Sequence, residues 1–553
     1  MSNATSGSLF SAFPPVESES WRAKIEKDLR GKPFEALVWR TLEGFDLQPY
    51  YRREDLPAEV DVAPGVFPYR RGNPFNAEGP GWQAVQELTA DHTDAAHRLA
   101  EALEAEVPAF RLVSQEEEGV GDLLGRLTLK DHAVHLQLTQ EPTLTVADLY
   151  SSLASQGIDR KLLTGTLTND PISATAAADQ AAETAALGRC EAGLVHALPS
   201  PYFRALGLDL TYVEHRGGTL AQQLAFALST LVDYLTFFEE TGSQLTREQV
   251  LANVAVTFPV GGSFFMEVAK LRAFRMLYAQ VVAHYGIDDK ALQSPFLLAR
   301  TSRWNKSRYD LHNNLLRSTT EAISAIAGGA NAVAVGAFNE VNGVETAQSA
   351  RLARNIQGLL KFESYLDQIQ DPAGGSYYAE QLTDELAEAA WKLFQAIESE
   401  GGFTESLKAG HISTRLEAAA KAKQERLAKR KAVLVGVNQY PNTSEVQVPP
   451  SEAPAYARAA DAFEMIRYRV DAIARVGQRP QAYLLAFGDL RMRNARLQFS
   501  RNLLGVGGLE ILETSTPNEL ETSLEAAIDL KPAVVVLCSG DSDYFETGKN
   551  AIA

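Results

Sequence analysis

Between residues 110 and 336, seven short apolar runs recur, each four to six residues long and each parted from the next by a helix-patterned segment. The runs are 110–113, 133–138, 163–167, 208–213, 254–258, 296–299 and 332–336. Strands this short, spaced by helices rather than by two-residue turns, do not pair as hairpins. They lie parallel, each joined to the next by a crossover helix. Seven such units fall one short of a closed barrel, so the pattern predicts a (β/α)8 TIM barrel with one strand unassigned. Stretch 296–340 contains the unit in full. An apolar strand ends in a polar knot, Arg300-Thr301-Ser302-Arg303-Trp304, and a loop with Asn313 and Asn314 leads into a helix. Gly328 and Gly329 break that helix ahead of the next apolar strand. The polar groups gather past the carboxyl ends of the strands, where parallel α/β folds place their chemistry.

The chain has 553 residues, more than one core holds, and by pattern it divides into four parts. Residues 1–80 are a loop-rich arm with Pro and Gly crowded into 57–80; lacking sequence for a core of its own, the arm is expected to wrap a partner. Residues 81–395 are the barrel, and 396–478 a helical linker with a Pro/Ser/Glu-rich piece at 441–454. Residues 479–553 alternate strands at 482–487, 510–513 and 533–538 with helices, which opens a doubly wound, Rossmann-like domain. Its sheet reads as incomplete, with an uncovered edge, where the sequence stops at Ala553.

Composition removes several function classes. Lys and Arg number 52 against 70 Asp and Glu, a net charge of −18, which argues against a nucleic-acid footprint or an anionic membrane surface. Cys190 and Cys538 lie far apart and outside any metal-ligand spacing, so neither a zinc site nor a disulfide framework is expected and a reducing cytoplasm is the natural compartment. The N-terminus lacks the basic and apolar regions of a secretory signal, and no apolar run reaches the length of about 18 residues that a membrane helix needs.

Generic catalytic motifs are missing: there is no G-x-S-x-G, no Walker A loop and no H-E-x-x-H. Gly505-Val506-Gly507-Gly508 follows a helix rather than opening one and reads as a helix C-cap, not a phosphate cradle. His132 and His135 read as exposed loop histidines in preference to a metal pair. Glu267, Lys270, Arg272 and Arg275 follow Gly261-Gly262 on one helix; a salt-bridged surface face is the commoner reading, and an anion site at the working end of the barrel the functional one.

Six ordered motifs carry a resemblance: LTGTLTND at 163–170, 253–275 with MEVAKLRA, 300–340, SARLARNIQ at 349–357, 371–378, and VLVGVNQY at 433–440. Together they resemble the adenosylcobalamin-dependent methylmalonyl-CoA mutases from about Trp21 to the end of the chain. The resemblance implies a barrel that admits an acyl-CoA along its axis and a linker leading to a flavodoxin-like, cobalamin-binding-type domain that caps it. The implied reaction is an isomerisation that exchanges a carbonyl-CoA group and a hydrogen between adjacent carbons by radical chemistry, interconverting methylmalonyl-CoA and succinyl-CoA.

The departures from that family are as informative as the matches. Catalytic members carry D-x-H-x-x-G after the first strand of the cobalamin domain, and its His ligates cobalt. Here the place reads Gly488-Asp489-Leu490-Arg491-Met492-Arg493, and no histidine follows His411. Their G-Y-H in the barrel aligns with Leu210-Thr211-Tyr212, putting Tyr212 where the His belongs and His215 three positions on. Thr168 replaces their Gln ahead of Asn169-Asp170, and their R-P-W-T-I-R-Q-Y-A-G is reduced to Phe67-Pro68-Tyr69-Arg70-Arg71-Gly72. The catalytic positions Tyr212, Thr168 and His215 therefore read as vestigial, as do the substrate-binding positions Asn169, Arg272 and Arg300. At Asp489, Arg491 and Arg493 no cofactor is expected, and no metal elsewhere. The chain is similar to the small (β) subunit of the bacterial heterodimers. That resemblance implies a protein inactive alone, stabilising a catalytic large (α) subunit that holds the adenosylcobalamin and the acyl-CoA. Two alternatives are a catalytic acyl-CoA mutase with atypical cobalamin binding and a non-enzymatic mutase chaperone.

Overall fold

The structure, a computed structural model, describes residues 16–56, 62–73, 81–114, 119–138, 142–174, 180–343, 345–450, 456–514 and 520–549. A two-stranded antiparallel ribbon in the arm, β1 (Trp39–Arg40) and β2 (Asp46–Leu47), precedes eight parallel strands: β3 (Gln83–Thr89), β4 (Ala109–Ser114), β5 (Ala133–Leu138), β6 (Thr164–Thr168), β7 (Tyr202–Asp209), β8 (Val254–Val260), β9 (Phe296–Thr301) and β10 (Ala332–Ala334). These eight close into a barrel in chain order, β10 pairing with β3. The strand the sequence left unassigned is β3. Its inward side chains are Gln83, Val85 and Glu87, so it lacks the apolar run by which the other seven were recognised.

The strand expected at 208–213 is displaced. β7 ends at Asp209, and Thr211–His215 is a short helix. The cause is local: the Asp209 carboxylate accepts the Thr211 N–H at 2.9 Å, a turn that starts the helix and carries Tyr212 off the strand. The two longest helices between the barrel strands are Leu220–Glu240 and Phe264–His284, on either side of β8. A capping box between Thr219 and Gln222 starts the first of them.

The barrel core lies between strands and helices, around Phe226, Leu228, Val256, Phe258 and Phe274, all essentially inaccessible. Inside the barrel a separate small cluster of Val85, Ala109, Ala133, Leu298, Ala332 and Ala334 fills part of the lumen. Glu267, Lys270, Arg272 and Arg275 do not form the expected surface face; all four are buried. Their heads are satisfied inside the outer layer. Lys270 bonds Gln223 at 3.0 Å and pairs with Glu267 at 2.5 Å, and Arg275 donates to the carbonyls of Gly328 (2.7 Å) and Tyr69 (3.1 Å). Long cationic side chains reach backbone carbonyls that the helix–strand connections leave unpaired, a use periodicity does not distinguish from a solvated face.

Part of the arm folds back on its own barrel. Tyr69 and Arg70 are buried, with Tyr69 Oη donating to Gln293 at 3.0 Å and Arg70 paired with Glu380 at 2.8 Å. The helix Ser18–Asp28, by contrast, buries none of its residues, and its Trp21 packs within the arm on Phe34 and Tyr50.

After the helix His411–Ala428 the linker reaches the helix Asp461–Val476. Then come β11 (Gln481–Ala486), β12 (Glu510–Glu513) and β13 (Val534–Cys538), parallel and ordered β12-β11-β13. The helix Leu490–Val506 ends on Gly507, and Gly508 has φ +86°, the left-handed conformation of a glycine cap, as the sequence predicts.

Candidate functional site

Strand register decides which side chains meet in the barrel. Glu87, Arg111, His135, Thr166 and Arg204 are paired in one row across five strands, and Gln83, Ala332, Leu298, Thr257 and Asp209 in another. Because side chains alternate along a strand, both rows face the lumen. Charged residues on them meet at the carboxyl end, the face on which this fold works.

There Arg111 pairs with Glu87, donates to Gln137 at 2.6 Å, and reaches Asp209 on the far side of the lumen at 3.5 Å. Gln137 closes the triangle by donating to Asp209 at 2.9 Å. Arg300 grips both oxygens of Glu87 at 2.9 and 3.0 Å and Glu340 at 2.5 Å. Arg303 adds a bond to Glu87 at 2.9 Å and approaches Glu340 at 3.4 Å. Three guanidinium groups thus meet three carboxylates, and the cluster is neutral. Burial acts to raise the Glu87 carboxyl, but Arg300, Arg111 and Arg303 outweigh it and hold it well below the usual range. Burial likewise opposes the charge on Arg300, and Glu340 and Glu87 override it.

Above this cluster, Tyr456 of the linker stacks on His215, ring centroids 4.9 Å apart, with the Arg303 guanidinium 5.5 Å from the Tyr456 ring. Burial, with Arg303 and Arg300 nearby, lowers the His215 imidazole to about 4. Below the cluster, His135 is enclosed in the lumen between Thr166 (3.1 Å) and Gln83 (3.2 Å) and stacks on Phe296. Burial and the charge of Arg111 lower it to about 3, so it is neutral. The expectation of an exposed loop histidine is corrected for His135: it lies one register step into β5, where alternation turns it inward. Among the described residues, one pocket at the mouth, of about 170 Å³, opens on the β3–β10 side and is lined by Glu87, Arg98, Arg303, Glu340 and Glu345. That is below the roughly 300–1,000 Å³ of ordinary ligand pockets.

The structure gathers only some of the residues singled out from the sequence. Arg300 and His215 are at the mouth. Thr168 ends β6 facing inward, in register with Gln137. Tyr212 sits on the short helix with its hydroxyl buried near Asp170 and Ser173, and burial pushes it up. Asn169 points away from the lumen, its Nδ2 on the Ala205 carbonyl and Cys190 Sγ, both at 3.3 Å. Arg272 lies in the outer layer, held by Glu380 (2.8 Å), Thr383 (2.8 Å) and Asp371 (3.0 Å). The segment 67–72 is also in the outer layer. Glu87, Arg111, Gln137 and Asp209 were not recognised in advance: they stand on four different strands, and only barrel closure brings them together.

At the head of the Leu490–Val506 helix, Asp489 accepts the Met492 N–H at 3.0 Å as its N-cap. The Asp543 carboxylate holds the same loop, accepting from Ser539 Oγ at 2.8 Å and the Asp489 N–H at 3.3 Å. Arg493 donates to the Gly488 carbonyl at 3.3 Å. Among the described residues no group of three or more His, Cys, Asp or Glu side chains could hold a metal ion, and no helix is long and apolar enough to cross a membrane.

The family model for methylmalonyl-CoA mutase matches residues 112–476, which takes in most of the barrel, from within β4 onward, and the linker through the helix Asp461–Val476. The chain belongs to the methylmalonyl-CoA mutase family. Among relatives of this family, it is 32% identical to the methylmalonyl-CoA mutase small subunit of Porphyromonas gingivalis over 97% of this chain and 90% of that one. It is 30% identical to the small subunit of Streptomyces virginiae, over 98% and 90% respectively. Similarity to the Rhizobium meliloti methylmalonyl-CoA mutase is 30% over a shorter span, 76% of this chain and 64% of that one. The near full-length matches are thus to proteins named small subunits.

Proposed function

We propose that this chain is the small subunit of a heterodimeric methylmalonyl-CoA mutase, non-catalytic itself and stabilising a catalytic large subunit. The observation that carries the reading is the closed charge cluster at the barrel mouth. A barrel that passes an acyl-CoA along its axis needs an open lumen and a free cation for an anionic substrate. Here Arg111 spans the lumen to Asp209, and Arg300, Arg111 and Arg303 are consumed by Glu87, Asp209 and Glu340. Expelling three carboxylates from three arginines to admit a substrate costs several kcal/mol per broken pair. The Tyr456–His215 stack adds a second obstruction above them.

Adenosylcobalamin, the cofactor the family implies, does not fit the residues at the head of the Leu490–Val506 helix. There is no imidazole there, Asp489 is committed to capping the helix, and Asp543 ties the loop down. In this proposal the cofactor and the acyl-CoA belong to the large subunit. The exposed helix Ser18–Asp28, with Tyr50 packed on its Trp21, and the exposed Trp39 are parts of the arm available to lie on that partner. The test is co-expression with a candidate large subunit. A stable 1:1 complex with mutase activity, from a chain that is inactive alone, is expected. Mutase turnover by the purified chain alone would overturn the proposal.

A further inference from the structure

On the outer face of the barrel the helices Leu220–Glu240, Phe264–His284 and Tyr377–Ser399 leave a groove of about 580 Å³, within the range of small-molecule sites. It lies apart from the barrel mouth. Trp391, Phe394 and Glu398 come from one face of the Tyr377–Ser399 helix at spacings of three and four, and Val281, His284 and Tyr285 face them. Trp391 and Phe394 pack at 5.0 Å between ring centroids, giving the groove an aromatic wall.

Glu398 stands at the polar end of this wall. Its Oε1 is buried and accepts no hydrogen bond among the described residues. Among the described residues no lysine or arginine acts on it. Burial raises the carboxyl to about 7, only the Ser229 hydroxyl opposes the shift, and Asp233 adds to it. The Arg247 guanidinium lies 5.3 Å from the Tyr285 ring but is engaged by Glu239 at 2.6 Å. A carboxyl group without a counter-ion, facing aromatic rings in a concave apolar surface, is complementary to one kind of ligand: an ammonium head carried on a hydrophobic body.

We propose that this groove is a binding site for a small hydrophobic organic cation, with Glu398 pairing the ammonium group and Trp391 and Tyr285 flanking it. The site is independent of the mutase assignment and uses none of the residues at the mouth. Isothermal titration of the full chain at about pH 8, where both Glu398 and a primary amine are ionised, tests it with phenethylamine against the uncharged phenethyl alcohol. Saturable amine binding, at least about tenfold tighter than the alcohol, is expected. The conservative variant Glu398→Gln, checked for an unchanged circular dichroism spectrum, is expected to lose that preference while still binding the alcohol. Equal binding of the two probes, no saturable amine binding, or an unchanged preference in Glu398→Gln would overturn the proposal.

Discussion

Glu87 accepts hydrogen bonds from Arg111, Arg300 and Arg303, so its charge neutralises more than one neighbour. Removing it leaves guanidinium groups buried without compensation. Glu87→Gln is expected to destabilise the chain by about 3–5 kcal/mol, read from urea denaturation midpoints. A loss below about 1 kcal/mol would mean that the cluster is far more hydrated than its burial implies. Two buried histidines lower stability on acidification, while the carboxyls of Glu345 and Glu398, both raised to about 7 by burial, act in the opposite sense. His135 and His215 are neutral in the fold, at about 3 and about 4, against 6.5 for an exposed histidine. Their folded values are depressed, so the unfolded chain takes up the protons. The stability they support is whole above pH 6.5 and falls as pH drops toward those values, by up to roughly 1.4 kcal/mol per pH unit for each group. Glu87, held well below 4.5, adds a further loss only below that pH. His135→Asn is therefore expected to flatten the decline in urea midpoint between pH 6.5 and pH 5, and an unchanged slope would contradict a neutral buried imidazole.

At the scale of elements, the loop after β9 is where the two halves of the chain are joined. Asn314 fixes its start, bonding both the N–H (3.0 Å) and the carbonyl (2.8 Å) of Ser307. Beyond it, Tyr309 Oη donates to Asp471 at 2.7 Å, the Arg467 guanidinium lies 3.8 Å from the Tyr309 ring, Glu464 accepts the Arg308 N–H at 2.7 Å, and the Trp304 carbonyl accepts the Ala459 N–H at 2.8 Å. The helix Asp461–Val476 is thereby clamped to the barrel. Tyr309→Phe, which removes one charge-assisted bond, is expected to cost about 1.5–3 kcal/mol and to speed hydrogen exchange at Arg308 and Ala459 while the barrel strands stay protected. Uniform acceleration across the chain would place the effect elsewhere. The sequence makes this architecture legible where apolar periodicity is strong: seven barrel strands, the two 21-residue helices flanking β8 and the C-terminal βα alternation. It conceals β3, whose lumen-facing Gln83 and Glu87 break the apolar run, and the end of β7, where the Asp209 turn outcompetes strand propensity. It conceals the candidate site for a different reason. Glu87, Arg111, Asp209 and Arg300 are 24 to 213 positions apart, and no local pattern encodes contacts made only when the barrel closes.

For the whole molecule, two separated losses support one reading. The barrel mouth is filled by its own charges, and the domain above it offers no imidazole beside Asp489. Each predicts inactivity without the other, so repairing one is not enough. The double substitution Arg491→Asp with Arg493→His is expected to yield no mutase turnover in the chain alone, because the barrel stays blocked; measurable turnover would show that the mouth is not the obstruction proposed here. The most direct test of the proposed non-catalytic role is the absorption spectrum of the purified chain after incubation with adenosylcobalamin and removal of free cofactor, beside that of its complex with the large subunit. The chain alone is predicted to retain no cobalamin absorbance and the complex one equivalent, whereas a stoichiometric cobalamin spectrum in the chain alone would contradict the account.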